Sequence, residues 1–276
     1  MRVRTHRLRS RNPTDVRKHM LGGALAVVAL SMLSAGLYVY LTAVRPPVLD
    51  RTSLCPVDGA RSMTVVLLDS TDEIPDIGKH EIRTVLLDLA ETVPVYGLLE
   101  LRLLDPMTPG GRQIFAKCNP GDGAGLSEYT ANPRIAKKRW LEGFRLPLEE
   151  SLGAGFQPVP GKTSPIMETV QQIAVDRFSG RAAEAIPKSL VLVSDMLENE
   201  PDYSQYTGDL SYSRYKSSRA YKKLQTDLHG AEVVIYYIQR VTTKPISSAE
   251  HIRFWADWVR DNKGRFKQAS KLQGEG

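Results

Sequence analysis

Two aspartates that follow predicted buried strands have the chemistry to hold a cation. Asp69 ends the apolar run MTVVLLD, and Asp195 follows the apolar run KSLVLVS. Hydroxyl groups accompany them at Thr71 and at Thr163, which lies in a loop before a predicted helix. Carboxylate, hydroxyl and water oxygens are the ligands that Mg²⁺ and Mn²⁺ prefer. These residues therefore predict a divalent-cation site, with the alternative that both acids only cap the helices that follow them.

The order of these residues resembles the metal-ion-dependent adhesion site of von Willebrand factor A domains. In that family the first strand ends in Asp-x-Ser-x-Ser, which falls here on Asp69, Thr71 and Glu73. Glu73 replaces the family's second serine, so it adds a negative charge that would tighten cation binding or fill the position of a partner's carboxylate. The loop threonine of the family corresponds to Thr163, with Ser164 as the alternative, and the distal acid corresponds to the second strand-end aspartate.

This resemblance extends over residues 63–263 in the order of the predicted elements. It implies a Rossmann-like α/β fold with a mainly parallel central sheet flanked by helices. It also implies a Mg²⁺ or Mn²⁺ ion that completes its coordination with a carboxylate from a protein partner. The segments CP at Cys55, DSTD at Asp69 and CNPG at Cys118 are in addition similar to a group of bacterial single-pass membrane proteins, and that similarity implies no particular activity.

The elements that must position the two aspartates alternate between strand and helix. Continuous apolar runs predict buried strands, and apolar residues at helical spacing predict the helices between them. The predicted strands are 63–69, 96–105, 111–119, 188–196 and 231–240, and the predicted helices are 77–92, 133–152, 164–178, 215–228 and 247–263. Such alternation favours a mainly parallel sheet covered on both faces, with ligands beyond the carboxyl ends of its strands.

Sequence motifs of enzymes are weak in this chain. It contains no G-x-S-x-G, no H-E-x-x-H and no P-loop. Asp69 at a strand end resembles the nucleophile of some phosphatases, but those enzymes carry a second aspartate where this chain has Thr71. We therefore predict a binding or assembly module and not an enzyme. The alternatives are a phosphoester hydrolase on a related fold and a structural subunit of an envelope complex without a working site.

A tyrosine-rich segment follows the second strand-end aspartate and is a candidate partner-binding loop. Tyrosines among Ser, Asp and Gly are typical of recognition surfaces, although a packed loop is the alternative. The four tyrosines are Tyr203, Tyr206, Tyr212 and Tyr215. Two basic clusters, 134–145 and 214–223, are predicted to be solvated helix faces.

The basic character of the chain is confined to its first residues. Residues 1–20 hold seven Lys or Arg and one acid. The whole chain has 37 Lys and Arg and 31 Asp and Glu, so the remainder is neutral with 30 of each. A domain that binds nucleic acid needs a basic surface of its own. We therefore predict no nucleic-acid partner.

Residues 21–44 predict a transmembrane helix. They form 24 consecutive residues without a charge, long enough to cross a ~30 Å hydrocarbon core. A cleaved signal peptide is the alternative, but the apolar stretch is long and no A-x-A site follows it. Recurring small residues permit pairing of two such helices, and so a homo-oligomer.

Charge and cysteines predict how the chain is oriented. Seven basic residues before the span and two, Arg45 and Arg51, after it place the N-terminus in the cytoplasm. The predicted organisation is a cytoplasmic tail at 1–20, the span in a bacterial inner membrane, a stalk at 45–62 and a periplasmic domain at 63–276. Cys55 and Cys118 both lie in the outer part, where an oxidising compartment favours a disulfide over two free thiols.

Overall fold

The computed structural model describes residues 13–42, 46–125, 132–158, 161, 163–239 and 247–272. The chain divides into two compact units, Met1–Pro47 and Val48–Gly276. The first 12 residues of the predicted tail and residues 43–45, which include the end of the predicted span, lie outside the described residues.

The first unit contains helix α1, Pro13–Thr42. Its stretch Arg17–Thr42 is long and apolar enough to cross a membrane, a property that a signal sequence shares. The 26 residues of this stretch extend over ~39 Å at ~1.5 Å per residue. The helix begins eight residues before the apolar run because Pro13 is suited to a first helical turn and the residues after it are compatible with a helix.

The second unit contains a six-stranded sheet and a small separate hairpin. The strands of the sheet are β1 (Met63–Leu68), β2 (Leu98–Leu103), β3 (Arg112–Cys118), β4 (Lys188–Ser194), β7 (Glu232–Ile238) and β8 (Arg265–Leu272). The hairpin consists of β5 (Asn199–Glu200) and β6 (Tyr203–Ser204). The order across the sheet is β3-β2-β1-β4-β7-β8, and only β3 runs antiparallel.

Helices cover both faces of this sheet. They are α2 (Asp76–Thr92), α3 (Pro133–Trp140), α4 (Leu146–Gly155), α5 (Ile166–Ile173), α6 (Arg181–Glu184), α7 (Tyr212–Lys216), α8 (Arg219–Lys223) and α9 (Ser248–Asp261). A wider π-helical turn, Leu141–Arg145, joins α3 to α4, and a second one, Ala174–Phe178, extends α5. The predicted α/β fold with a mainly parallel, helix-flanked sheet is therefore confirmed.

Alternate residues of β1 pack in two separate hydrophobic cores. Val65 and Leu67 pack on one face with α5 and α9, whereas Val66 and Leu68 pack on the other face with α2 and α4. Successive side chains of a strand point to opposite faces, so a central strand covered on both sides must be apolar throughout. This is why the residues between Met63 and Asp69 are apolar, with the exception of Thr64, which is buried as well.

Several elements differ from the prediction, the short elements β5, β6 and α6 among them. The helix predicted at 215–228 is broken into α7 and α8, because the Ser218 side chain accepts the backbone N–H of Tyr221 and starts a new helix. Strand β8 was not predicted at all. Its sequence RFKQASKL is polar, as suits an edge strand, and only pairing with β7 makes it a strand.

The segment predicted as a stalk folds onto the domain. The Val57 backbone N–H donates to the Val48 carbonyl at 3.0 Å, which closes a hairpin over residues 48–57. Leu54 is buried in the core. Cys55 is disulfide-bonded to Cys118 at the end of β3, with the two Cα atoms 4.7 Å apart. The predicted disulfide is thus confirmed in the structure.

Candidate functional site

The two strand-end aspartates lie at the point where the strand order reverses. β1 and β4 are neighbours in the sheet, while the strands that follow each of them lie on opposite sides. In open α/β sheets the crevice at the carboxyl ends of two such strands is where ligands bind. Asp69 and Asp195 come directly after these two strands, and both are buried.

Three hydroxyl groups surround the Asp69 carboxylate. The Thr71 hydroxyl donates to Oδ1 at 2.7 Å, and the Ser194 hydroxyl donates to Oδ2 at 2.7 Å. The Ser164 hydroxyl lies 3.4 Å from Oδ2, a long hydrogen bond. The Thr71 backbone N–H adds a contact of 3.1 Å to Oδ1. These contacts hold the carboxylate in one orientation at the edge of the sheet.

Ser194 is a site residue that the sequence analysis missed. Leu68 pairs with Val193 across the parallel ladder, so the residues that follow them, Asp69 and Ser194, are brought together. The sequence feature that could have pointed to it is the serine directly before Asp195 in LVLVSDM. It could not be interpreted without the register between two strands that are more than a hundred residues apart.

The other predicted ligands occupy different positions. Ser164, and not Thr163, brings a hydroxyl to Asp69, while Thr163 is half-buried one residue earlier. Glu73 is exposed, in contrast to the buried aspartates. Asp195 Oδ1 accepts the Leu197 backbone N–H at 2.9 Å, which shapes the loop after β4. The ligand roles of all five predicted residues, Asp69, Thr71, Glu73, Thr163 and Asp195, remain predictions.

This set of oxygens suits a hard cation. A hydroxyl that donates its proton to Asp69 keeps a lone pair free for coordination, and Mg²⁺ accepts one or two carboxylates together with hydroxyls and waters. The Ser70 hydroxyl is fully buried and has no hydrogen-bond partner among the described residues. Across those residues, no three His, Cys, Asp or Glu side chains converge on a common metal position. The donors therefore fit Mg²⁺ or Mn²⁺ better than Zn²⁺ or Cu²⁺.

A buried polar network fixes the loop that follows Asp195. The Trp255 indole N–H donates to the Met196 carbonyl at 2.9 Å. Gln205 exchanges two hydrogen bonds with Glu198, since its side-chain oxygen accepts the Glu198 backbone N–H and its own backbone N–H donates to the Glu198 carbonyl. The Glu198 carboxyl accepts the backbone N–H of Met167. Burial raises the pKa of Glu198 well above its ordinary value, which favours the neutral acid.

His251 closes this network from helix α9. The Tyr237 hydroxyl lies 3.0 Å from Nδ1, and the side-chain oxygen of Gln205 lies 3.1 Å from Nε2. The Trp255 indole N–H also lies 3.1 Å from Nε2, and in a neutral ring one nitrogen donates while the other accepts. His251 is completely buried, and burial lowers its pKa to about 4.

We expect the stability of the domain to decrease between pH ~6.5 and pH ~4. Over this range the histidine side chain binds a proton in the unfolded chain. In the folded domain His251 stays neutral, because its pKa is lowered to about 4. The free energy of unfolding should fall by about 3 kcal/mol from this residue alone. Glu198 acts in the opposite direction, because its pKa is raised in the folded domain. As the pH rises, the unfolded chain ionises this residue first, so the stability that the neutral acid contributes at low pH is lost. Urea unfolding across the pH range measures the sum.

The His251→Gln variant separates the two contributions. It should show a smaller loss of stability on acidification than the wild-type chain, whatever its stability at neutral pH. His80→Gln changes an exposed histidine and should leave the pH dependence as it is. Identical pH profiles for the wild type and His251→Gln would contradict a neutral, buried His251.

The tyrosine-rich segment is largely packed inside the domain. Tyr215 is only 1% exposed, and its ring contacts those of Tyr203, Tyr212 and Phe254 at centroid distances of 4.8 to 5.7 Å. Tyr206 is exposed. Tyr215 therefore agrees with the alternative of a packed loop, because its ring packs against Phe254 of α9. The partner-binding role stays a prediction, with Tyr206 the most accessible of the four.

Comparisons with known proteins yield structural neighbours only. No family model matches the chain, and no curated protein matches it either. Among solved structures, the VWA domain of SpRpn10 matches with a TM-score of 0.40 and 10% identity, covering 78% of this chain and 90% of that chain. An aerotolerance-related membrane protein from Bacteroides fragilis, carrying multiple mutations to serines, matches with a TM-score of 0.34 and 10% identity, covering 77% and 92%. The chain is similar to these proteins at the level of the fold.

Proposed function

We propose that this chain is a membrane-anchored binding or assembly module whose domain holds a protein partner through a divalent cation at the carboxyl edge of its sheet. The observation that carries the proposal is the Asp69 carboxylate, surrounded by the hydroxyls of Thr71, Ser164 and Ser194 at the point where the strand order reverses. Asp195 ends the neighbouring strand and supplies the second carboxylate.

In this proposal Asp69, Asp195 and the hydroxyls of Thr71 and Ser164 hold a Mg²⁺ or Mn²⁺ ion directly or through water. The bound cation supplies a position for a carboxylate of the partner. Ser194 would orient Asp69, because its hydroxyl both donates to Oδ2 and accepts the Met196 backbone N–H at 2.8 Å. No covalent chemistry is needed for such a role, which is that of a non-enzymatic module.

The location of the module is part of the same proposal. Helix α1 would span the bacterial inner membrane once, with its basic N-terminal side in the cytoplasm. The domain would then lie in the periplasm. The Cys55–Cys118 disulfide is compatible with that oxidising compartment.

Titration of the full-length chain in detergent micelles with Mg²⁺ and with Mn²⁺ tests the cation site. We expect saturable binding by calorimetry, lost in Asp69→Asn and in Asp195→Asn. A cation at a hundred times its Kd should also stabilise the fold by about 2.7 kcal/mol, visible as a higher melting temperature. Glu91→Gln changes an exposed carboxylate of α2 outside the proposed site and should retain binding, which makes it the matched control.

Two results would contradict the proposal. Absence of binding heat and of thermal stabilisation in the wild-type chain would leave the aspartates with the structural role of shaping the strand-end loops. Hydrolysis of a generic phosphoester, lost in Asp69→Asn but not in Glu91→Gln, would favour the hydrolase alternative. A melting curve of each variant without cation establishes that the substitution has not unfolded the domain.

A further inference from the structure

We propose that the edge of the domain opposite to Asp69 and Asp195 docks on anionic phospholipid headgroups. Helix α3 and the hairpin at residues 48–57 form this surface, which we call the amino edge. The inference rests on the proposed membrane anchor, because α1 would deliver the domain to a bilayer. It adds a second, electrostatic attachment and an orientation.

Several contacts place α3 and the hairpin at the same end of the domain. Gly143 lies so close to Leu54 that an added Cβ would be 2.9 Å from its side chain. The Cys118 backbone N–H donates to the Ser53 carbonyl at 2.8 Å. An added Cβ at Gly123, which follows β3, would similarly be 2.9 Å from Ala136 of α3. The hairpin, the end of β3 and α3 are therefore neighbours.

This end is opposite to the candidate cation site. β1 and β2 begin here, since the backbone N–H of Leu98 donates to the carbonyl of Ser62 at 2.9 Å. The helical segment runs from α3 toward the other edge and ends at Gly155. A Cβ added at Gly155 would lie 3.2 Å from Leu103 and 3.7 Å from Leu68, the last residues of β2 and β1. A bilayer at the amino edge would leave the aspartates facing away from the membrane.

The amino edge is basic because α3 and the turn after it carry five cations and one acid. The cations are Arg134, Lys137, Lys138, Arg139 and Arg145, and the acid is Glu142. No residue of α3 itself is buried. Arg134, Lys137 and Arg139 form no salt bridge to another described residue, and Lys138 lies 3.9 Å from Glu142. Each such cation near an anionic surface strengthens binding by about fivefold.

Exposed apolar side chains accompany these charges. Ile135 is 57% exposed and Leu141 is 41% exposed, while on the hairpin Val48 and Val57 are 75% and 72% exposed. Interfacial helices combine cations with apolar side chains that enter the boundary between headgroups and acyl chains. Solvated helix faces, which we predicted for this cluster, need no such apolar residues.

The acids of the hairpin do not cancel this charge. The charge of Asp50, which accepts the backbone N–H groups of Thr52 and Ser53, is offset by the adjacent Arg51. Asp58 is paired with Arg61 at 2.7 Å. The cations of α3 are thus left available for phosphate oxygens.

Tryptophan fluorescence of the full-length chain in vesicles tests the proposal. Trp140 of α3 is partly exposed, whereas Trp255 and Trp258 are buried, so lipids with brominated acyl chains should quench only Trp140. We expect quenching in an equimolar mixture of phosphatidylglycerol and phosphatidylcholine, and little in phosphatidylcholine alone. The variant Trp140→Phe should lose the quenched signal.

The triple variant Lys137→Gln, Lys138→Gln, Arg139→Gln should weaken docking about a hundredfold, at about fivefold per cation, and so lose the quenching. The matched control, Arg219→Gln, Lys222→Gln, Lys223→Gln, removes three exposed cations of helix α8 and should keep the quenching. Equal quenching in both lipids, or quenching that survives in the first triple variant, would overturn the proposal. So would the absence of quenching in every vesicle.

Flotation of the same samples separates this inference from the anchor on which it rests. A chain that floats with phosphatidylcholine vesicles is anchored by α1. If the wild-type chain floats only with anionic vesicles and the α3 triple variant floats with neither kind, the anchor is refuted and the docking surface is supported. A chain that floats with neither would refute both.

Discussion

Replacing Cys55 and Cys118 together by serine should lower the free energy of unfolding by about 4 kcal/mol. The disulfide joins residues 63 positions apart, and closing a loop of that length removes much of the freedom of the unfolded chain. It also ties the hairpin to the end of β3. For a domain of this size the melting temperature should fall by about 10 °C.

Thermal unfolding followed by circular dichroism measures this change in the full-length chain. The wild-type protein, unfolded and refolded with a reductant, should melt at the temperature of the double variant. The double variant should not respond to the reductant. An unchanged melting temperature in the double variant would mean that the hairpin is held by its packing at Leu54 and its hydrogen bonds alone.

Glu100→Gln should destabilise the fold by about 3 kcal/mol, because it removes the charge of a buried ion pair. Glu100 lies in the middle of β2 and is completely buried. Its carboxylate is 2.5 Å from Arg102 Nε and 2.6 Å from Arg177 Nη2. Arg102 in turn donates to the carbonyl of Gly110 at 2.9 Å. Without the carboxylate, two guanidinium groups remain beside its position, with the Arg102 side chain 12% exposed and the Arg177 side chain 31% exposed.

Urea unfolding of Glu100→Gln and of a surface control tests this expectation. Glu149→Gln breaks the Arg83–Glu149 salt bridge, whose side chains are 44% and 34% exposed, and such pairs contribute at most about 1 kcal/mol. The buried variant should therefore be clearly the less stable of the two. Equal midpoints would show that water reaches Arg102 and Arg177 and compensates for the lost charge.

The local sequence determined the elements that line the site. The centres of β1 and β4, VVLL and LVLV, are apolar because both of their faces are covered, and an aspartate at the end of such a run has to lie at the carboxyl end of a strand. Alternation of strands and helices then favoured a parallel sheet. The span in α1 and the confinement of excess charge to the first 20 residues follow from composition and need no tertiary structure.

Elements whose character depends on their neighbours were not predictable in the same way. β8 has a polar sequence because it is the last strand of the sheet, and its strand conformation depends on pairing with β7. Tyr215 has the local sequence of a recognition loop. Packing of its ring against Phe254 nevertheless buries it, because burial of apolar surface is more favourable than exposure to water. His251 and Glu198 form hydrogen bonds with Tyr237, Gln205 and Met167. These three partners belong to three different elements, β7, a turn after β6 and α5, so no spacing in the sequence pointed to them.

The sequence by itself determined the two strand-end aspartates, the α/β alternation, the candidate membrane span and the two cysteines. Only the tertiary structure decided that Ser194 faces Asp69, that Ser164 and not Thr163 reaches it, and that Glu73 stays in solvent. The physical reason is that periodicity encodes which face of an element is buried, whereas the register between β1 and β4 arises when the sheet assembles. The chemistry of the site depends on that register.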